Sequence, residues 1–132
     1  MKLPKGALVA VVDGEKLAVF ENTGQQEVSL VARPTPAIPD RASGAPGRVS
    51  SEANPDNDTQ AEDGFAMGVA DMLNSLVLKN KAEHLLVIAA PKTLGQLRKG
   101  WHKETQARLV GEIAKDLTGH STDDIAAAIE KA

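Results

Sequence analysis

The stretch His84-Leu-Leu-Val-Ile-Ala-Ala90 constrains the fold of this chain more than any other. Its apolar residues follow one another without alternation, so a strand here has no solvent face and must be covered on both sides. That demand is met by a parallel pairing inside an α/β sheet, with helices above and below. A helix stands just before it, because Phe65, Val69, Met72, Leu73 and Leu76 recur at helical spacing on one face. Thr59-Gln-Ala-Glu62 matches a capping box at its start, and Lys79 and Lys81 suit the negative end of its dipole. Strand, helix and strand in this order make a right-handed crossover. Gly64 and Gly68 weaken such a helix by about 1 kcal/mol each against alanine, so a close approach to the sheet is expected of them.

The partner strands lie near the start. Ala7–Val12 is a continuous apolar run, Lys16–Glu21 alternates, and Glu27–Arg33 returns with Val28, Leu30 and Ala32 against Ser29 and Val31. Asp13-Gly14 matches the two-residue hairpin signal, and Asn22-Thr23-Gly24-Gln25 supplies a second turn. These three segments predict an antiparallel meander.

Between the meander and the first helix, residues 34–60 differ in kind. Pro34, Pro36, Pro39, Pro46 and Pro55 fall there, while Ile38 and Val49 are its only sizeable apolar side chains. Proline removes backbone donors, so a long loop is expected, either functional or merely solvated and disordered.

After the buried strand, Pro91 ends it and Thr93-Leu-Gly-Gln96 repeats the capping-box pattern. Leu94, Leu97 and Trp101 then trace the apolar stripe of a second helix. The stretch Leu109–Leu117 reads equally as helix or strand. Ser121-Thr-Asp-Asp124 caps a last helix, with Ile125, Ala128 and Ile129 facing inward.

At 132 residues all of this fits one domain. The chain has no cysteine, which excludes disulfides, zinc–thiolate sites and iron–sulfur clusters. Three scattered histidines offer no ligand pair, so neither a metal nor another cofactor is expected. Phe20, Phe65 and Trp101 are the only aromatics, too few for a base-stacking platform. No apolar run reaches the ~20 residues that span a bilayer, and Ala7–Val12 breaks too early for a signal peptide. A cytoplasmic protein without membrane contact is expected.

Two groups of residues resemble a known family. Ala89-Ala-Pro-Lys-Thr-Leu-Gly-Gln-Leu-Arg98 with Glu112-Ile-Ala-Lys-Asp-Leu-Thr118 looks like the C-terminal signature of the bacterial host-attachment family. Leu3-Pro-Lys-Gly with Val12-Asp-Gly-Glu-Lys-Leu-Ala-Val-Phe20 is similar to its N-terminus. That family in turn is similar in fold to the middle domain of archaeal and eukaryotic class-1 peptide-chain release factors. The resemblance implies a mixed five-stranded sheet in ribonuclease-H-like order, 3-2-1-4-5, with helices on both faces and a strand at Leu109–Asp116. It also implies a role in attachment of the bacterium to host cells; with no signal peptide expected, that effect is expected to be indirect, from the cytoplasm.

Little catalytic chemistry survives inspection. Release factors carry Gly-Gly-Gln in the loop that corresponds to 34–60, and none occurs there; Gly24-Gln25-Gln26 lies in a different turn. A ribonuclease-H-type site needs clustered carboxylates around two metal ions. Asp13 and Glu62 supply half of such a set, but Lys92 stands where the fourth strand would need an acid. Asp13 reads better as a turn residue. No Gly-x-Ser-x-Gly elbow or glycine-rich phosphate loop is present.

What remains is charge. Lys92, Arg98, Lys99, Lys103 and Arg108 face only Glu104 within 92–108, a local charge of +4 in a chain of net −3, so the rest carries −7. With Thr93 these residues form a candidate anion-binding set beside a helix N-terminus; an ordinary solvated helix face has the same composition. The expected function is a non-catalytic binding module for an anionic partner such as RNA or the ribosome. A hydrolase with active groups in the 34–60 loop is the alternative.

Overall fold

The computed structural model describes residues 1–39 and 57–132, with side chains described for 1–39 and 64–132. Five strands, β1 (Leu8–Val12), β2 (Leu17–Asn22), β3 (Leu30–Arg33), β4 (Leu85–Ala89) and β5 (Leu109–Ala114), form one open sheet. Its order is β3-β2-β1-β4-β5, with β1, β4 and β5 parallel and β2 antiparallel to both of its neighbours. This is the expected topology. Every residue of β4 is buried, as its unbroken apolar run requires. The ambiguous segment after Arg108 resolves as the edge strand β5, paired along β4 from Leu85↔Leu109 to Ala89↔Ala114.

Both faces are covered. On one, α1 (Asn57–Leu78) and α2 (Pro91–Arg98) pack Val69, Met72, Leu73, Leu94 and Leu97 against Ala10, Val12, Val87 and Ala89. On the other, Ile125 and Ile129 of α4 (Thr122–Lys131) meet Val9, Val11, Leu86, Ile88 and Ile113. Burying a side chain of this size contributes roughly 1.5–3 kcal/mol, so the two aliphatic layers offset the scarcity of aromatics. The inward stripes expected for these helices are the ones observed. Ser121 caps α4, its Oγ accepting from the Asp124 amide at 3.1 Å.

Several local expectations are corrected. The first turn does not centre on Asp13-Gly14. Asp13 donates its amide to the Lys16 carbonyl (2.9 Å), which makes Gly14 and Glu15 the central residues. Asp13 Oδ1 accepts the amides of Glu15 (2.7 Å) and Lys16 (2.5 Å), and this side-chain turn displaces the expected one. The third strand begins at Leu30 instead of Glu27, because buried Asn22 organises residues 23–29 as a loop. Its Oδ1 accepts the amides of Gly24 and Ser29 (3.0 Å each), and its Nδ2 donates to the carbonyls of Leu3 (2.9 Å) and Pro4 (3.1 Å).

The helix α2 starts at Pro91, with Ala90 as an N-cap that makes no side-chain bond, so Thr93 lies inside the first turn and is no cap. It also stops at Arg98, before Trp101. A separate short helix, α3 (Lys103–Arg108), follows with His102 as its cap. The α1 helix begins at Asn57, and the Thr59–Glu62 capping pattern falls on side chains outside those described. Its other end is a left-handed turn at Asn80 (φ 60°), which puts Lys79 and Lys81 beyond the last helical residue. Gly68 is needed for a close approach, but not to the sheet. A Cβ there would collide with the Pro39 carbonyl and lie 2.9 Å from Ile38 Cγ2. Residues 36–39 of the proline-rich span therefore run against α1, while 57–60 form its first turn. The expectation of disorder or solvation between them lies outside the described residues.

Candidate anion-binding surface

Because β1, β3, β4 and β5 all run the same way, their carboxyl ends share one edge of the sheet. The chain leaves β1 toward β2 and enters β4 on the other side, so a topological switch point lies between β1 and β4, where open α/β sheets commonly take ligands. Asp13, the first turn of α2 and the Lys115–Thr118 segment that follows β5 meet at this edge.

Asp13 is fully engaged there. With Oδ1 taken by two amides, its Oδ2 accepts from Thr118 Oγ1 at 2.8 Å. Partial burial works against the charged form. The two amides, the Thr118 hydroxyl and the Lys16 ammonium outweigh it and hold the Asp13 carboxyl below the usual carboxylate range. Thr118 Oγ1 also lies 2.7 Å from Asp116 Oδ1. Asp13 thus acts as the turn residue its sequence context indicates. Its proposed nuclease partner Glu62 has no described side chain, and β4 runs into Ala90-Pro91-Lys92 with no carboxylate. Among the described residues, no three His, Cys, Asp or Glu side chains come together as a metal site.

The six residues of the candidate anion set are distributed over three places. Lys92 and Thr93 lie in the first turn of α2 at the carboxyl edge, in a turn that holds no acidic residue. Arg98 and Lys99 occupy the far end of the same helix, about 9–10 Å away at 1.5 Å per residue. Arg98 sends both Nε (3.0 Å) and Nη2 (2.9 Å) to Oε1 of Glu112 on β5. Lys103 opens α3 on the exposed surface. Arg108, at the last turn of α3, donates to the Ala82 carbonyl (3.0 Å) and Asn80 Oδ1 (3.2 Å), clamping the turn that leads into β4. That turn sits at the opposite end of the strands from Lys92.

Sequence reasoning missed the group that joins α2 to α3. Asn74 of α1 donates to the Gly100 carbonyl (2.8 Å), and its Oδ1 accepts from the His102 amide (3.0 Å) and the buried Thr105 hydroxyl (2.6 Å). These partners are 26 to 31 residues away, so no local pattern announces them. Glu112 opened the second stretch of the family resemblance, but nothing in the sequence pointed to Arg98 as its partner. Thr118 stood within the Lys-Asp-Leu-Thr stretch of the family resemblance, which flagged the residue without its role.

Gly24-Gln25-Gln26 lies in the β2–β3 loop, at the edge opposite the carboxyl ends. Gln25 and Gln26 there line a cleft of about 560 Å³ with Met1, Leu3, Val28 and Glu130. The hydrolase alternative would draw on residues 34–60, most of which lie outside those described.

A mixed 3-2-1-4-5 sheet covered on both faces, with this carboxyl edge, is the architecture implied by the resemblance to the release-factor middle domain. The family model for bacterial archaeo-eukaryotic release factor family 12 matches residues 6–129, and the chain belongs to that family. A comparison with curated proteins finds no match. Among the described residues, no helix is long and apolar enough to cross a membrane.

Proposed function

We infer that this chain is a non-catalytic, intracellular module that binds RNA, ribosomal RNA included, through the face presented by α2 and the start of α3. One observation carries the reading. Lys92 and Lys99 stand two helical turns apart on one side of α2, and Lys103 follows at the start of α3, all three exposed. Leu94 and Leu97 anchor the opposite side in the core, so the lysines are displayed on a rigid support. Thr93 and Arg98 flank them; Arg108 contributes through the fold, by holding the turn before β4. Membership of a release-factor-like family favours a ribosomal setting over other polyanions. An effect on attachment to host cells would then be an indirect consequence of RNA binding.

The test is a salt titration. Binding of a short single-stranded RNA should weaken linearly with the logarithm of salt, with a slope of roughly −2 for three lysine–phosphate contacts at about −0.7 each. Reversing Lys99 and Lys103 to glutamate should abolish binding with melting unchanged. A parent protein that binds no RNA at low salt, or a reversal variant that binds as the parent does, overturns the reading.

A further inference from the structure

Among the cations of this face, Arg98 is placed differently from the lysines. It is the one with a guanidinium fork, the group best suited to grip a phosphate through two parallel bonds. Yet its Nε and Nη2 both converge on one oxygen of Glu112, at 3.0 and 2.9 Å. The glutamate is held in place for this. Its backbone pairs with Val87 of β4, and its neighbour Gly111 lies on the other face of the sheet against Leu86, so Glu112 points to the α2 side. Its side chain is 21% exposed, whereas that of Arg98 is 57% exposed. The carboxylate is therefore part of the scaffold, and the guanidinium is the partner within reach of a ligand.

We propose that Glu112 is a built-in competitor for the anionic ligand: it occupies the Nε–Nη2 edge of the Arg98 guanidinium, one of its two paired-donor edges, and so restrains RNA binding by the lysine face. This rests on the RNA-binding reading given above. To take that edge, a single phosphate must displace a carboxylate already seated on Nε and Nη2, which gains it little. A run of phosphates anchored by Lys99 and Lys103 presents the next phosphate at high effective concentration, and can win the exchange. The device thus discriminates against mononucleotides and inorganic phosphate and favours polymeric RNA.

Glu112→Gln retains the shape of the side chain and removes its charge, and Glu112→Thr is too short to reach Arg98 while remaining suited to a strand. Binding of a fluorescent oligouridylate would be measured against salt for the parent, both variants, Arg98→Ala, and Arg98→Ala combined with Glu112→Gln. The expected result is several-fold tighter binding in both Glu112 variants and a salt slope steeper by about 0.7, one added phosphate contact. In the Arg98→Ala background, Glu112→Gln should produce neither change. Melting curves close to the parent's establish that each variant is folded. Equal gains with and without Arg98 would mean that removing any negative charge suffices, and would overturn the proposal. So would binding by the parent that neither Glu112 variant improves. If neither the parent nor the Glu112 variants bind the oligouridylate at low salt, the RNA-binding reading itself fails, and the competitor with it.

Discussion

Asp13 and Thr118 are joined by a 2.8 Å hydrogen bond across 105 residues of sequence, tying the turn after the first strand to the segment that follows the last. The bond closes the carboxyl edge of the sheet, between elements that lie on either side of β4.

The depressed pKa of Asp13 makes this tie sensitive to acid. Its folded pKa lies below the ordinary value of an unperturbed aspartate, 3.8, so its contribution to stability is present above that pH and is lost as pH falls through the lower, folded value. The stability gap between the parent and Asp13→Asn should therefore be largest near neutral pH and shrink in the acid range, as measured by urea melts at a series of pH values. A gap that stays constant across that range would show that the charge of Asp13 is irrelevant. Thr118→Val should cost about 1 kcal/mol, the usual net worth of one hydrogen bond.

Asn22 is predicted to be the costliest polar residue to truncate. Asn22→Ala strands two amides and two carbonyls around a fully buried position, and a loss of about 3 kcal/mol is expected from such unpaired groups. Chemical denaturation checks this. A loss under ~1 kcal/mol would mean that water replaces the amide with little penalty.

Two helix glycines should respond to alanine in opposite directions. At Gly95 nothing lies within 4 Å of an added Cβ, so Gly95→Ala should stabilise by up to about 1 kcal/mol. At Gly68 the same change drives a methyl group into Pro39 and Ile38, so the gain in helix propensity is overridden and melting temperature should fall. Stabilisation at Gly68 would mean that residues 36–39 yield without resistance.

Asp13 is not expected to serve as a metal ligand, since both its oxygens are already hydrogen-bonded. Incubating RNA with magnesium should give the same outcome for the parent and for Asp13→Asn. Cleavage by the parent that disappears in the variant would overturn this prediction.

The legible parts of the fold were those written in apolar side chains. The unbroken run Leu85–Ala89 required two covered faces, and the structure supplies them. The stripe Leu94–Leu97 was equally plain, because burial acts on each side chain where it stands. Polar organisation was less accessible. Thr93 matched a capping pattern, yet Pro91 fits the start of a helix two residues earlier and sets the boundary. Asp13-Gly14 matched a hairpin pattern, yet the Asp13 carboxylate captured the amides of Glu15 and Lys16 and moved the turn by one residue. For the candidate surface, counting charges located the helix but could not show that Arg98 and Arg108 are held by other elements. Their partners Glu112, Asn80 and Ala82 come from other elements, and only the fold brings them near.

The parallel pairing of β1 with β4 has a kinetic consequence. Leu8 meets Leu85, a separation of 77 residues (85 less 8), whereas Val12 meets Leu17 across a tight turn. The β1–β2 hairpin can form within microseconds, but the central pair must first close a long loop at an entropic cost that only the finished core repays. Refolding from denaturant is therefore limited by the docking of β4 between β1 and β5. Truncating Val87 or Ile88 should slow that step, whereas changes at the β2–β3 loop act mainly on the rate of unfolding.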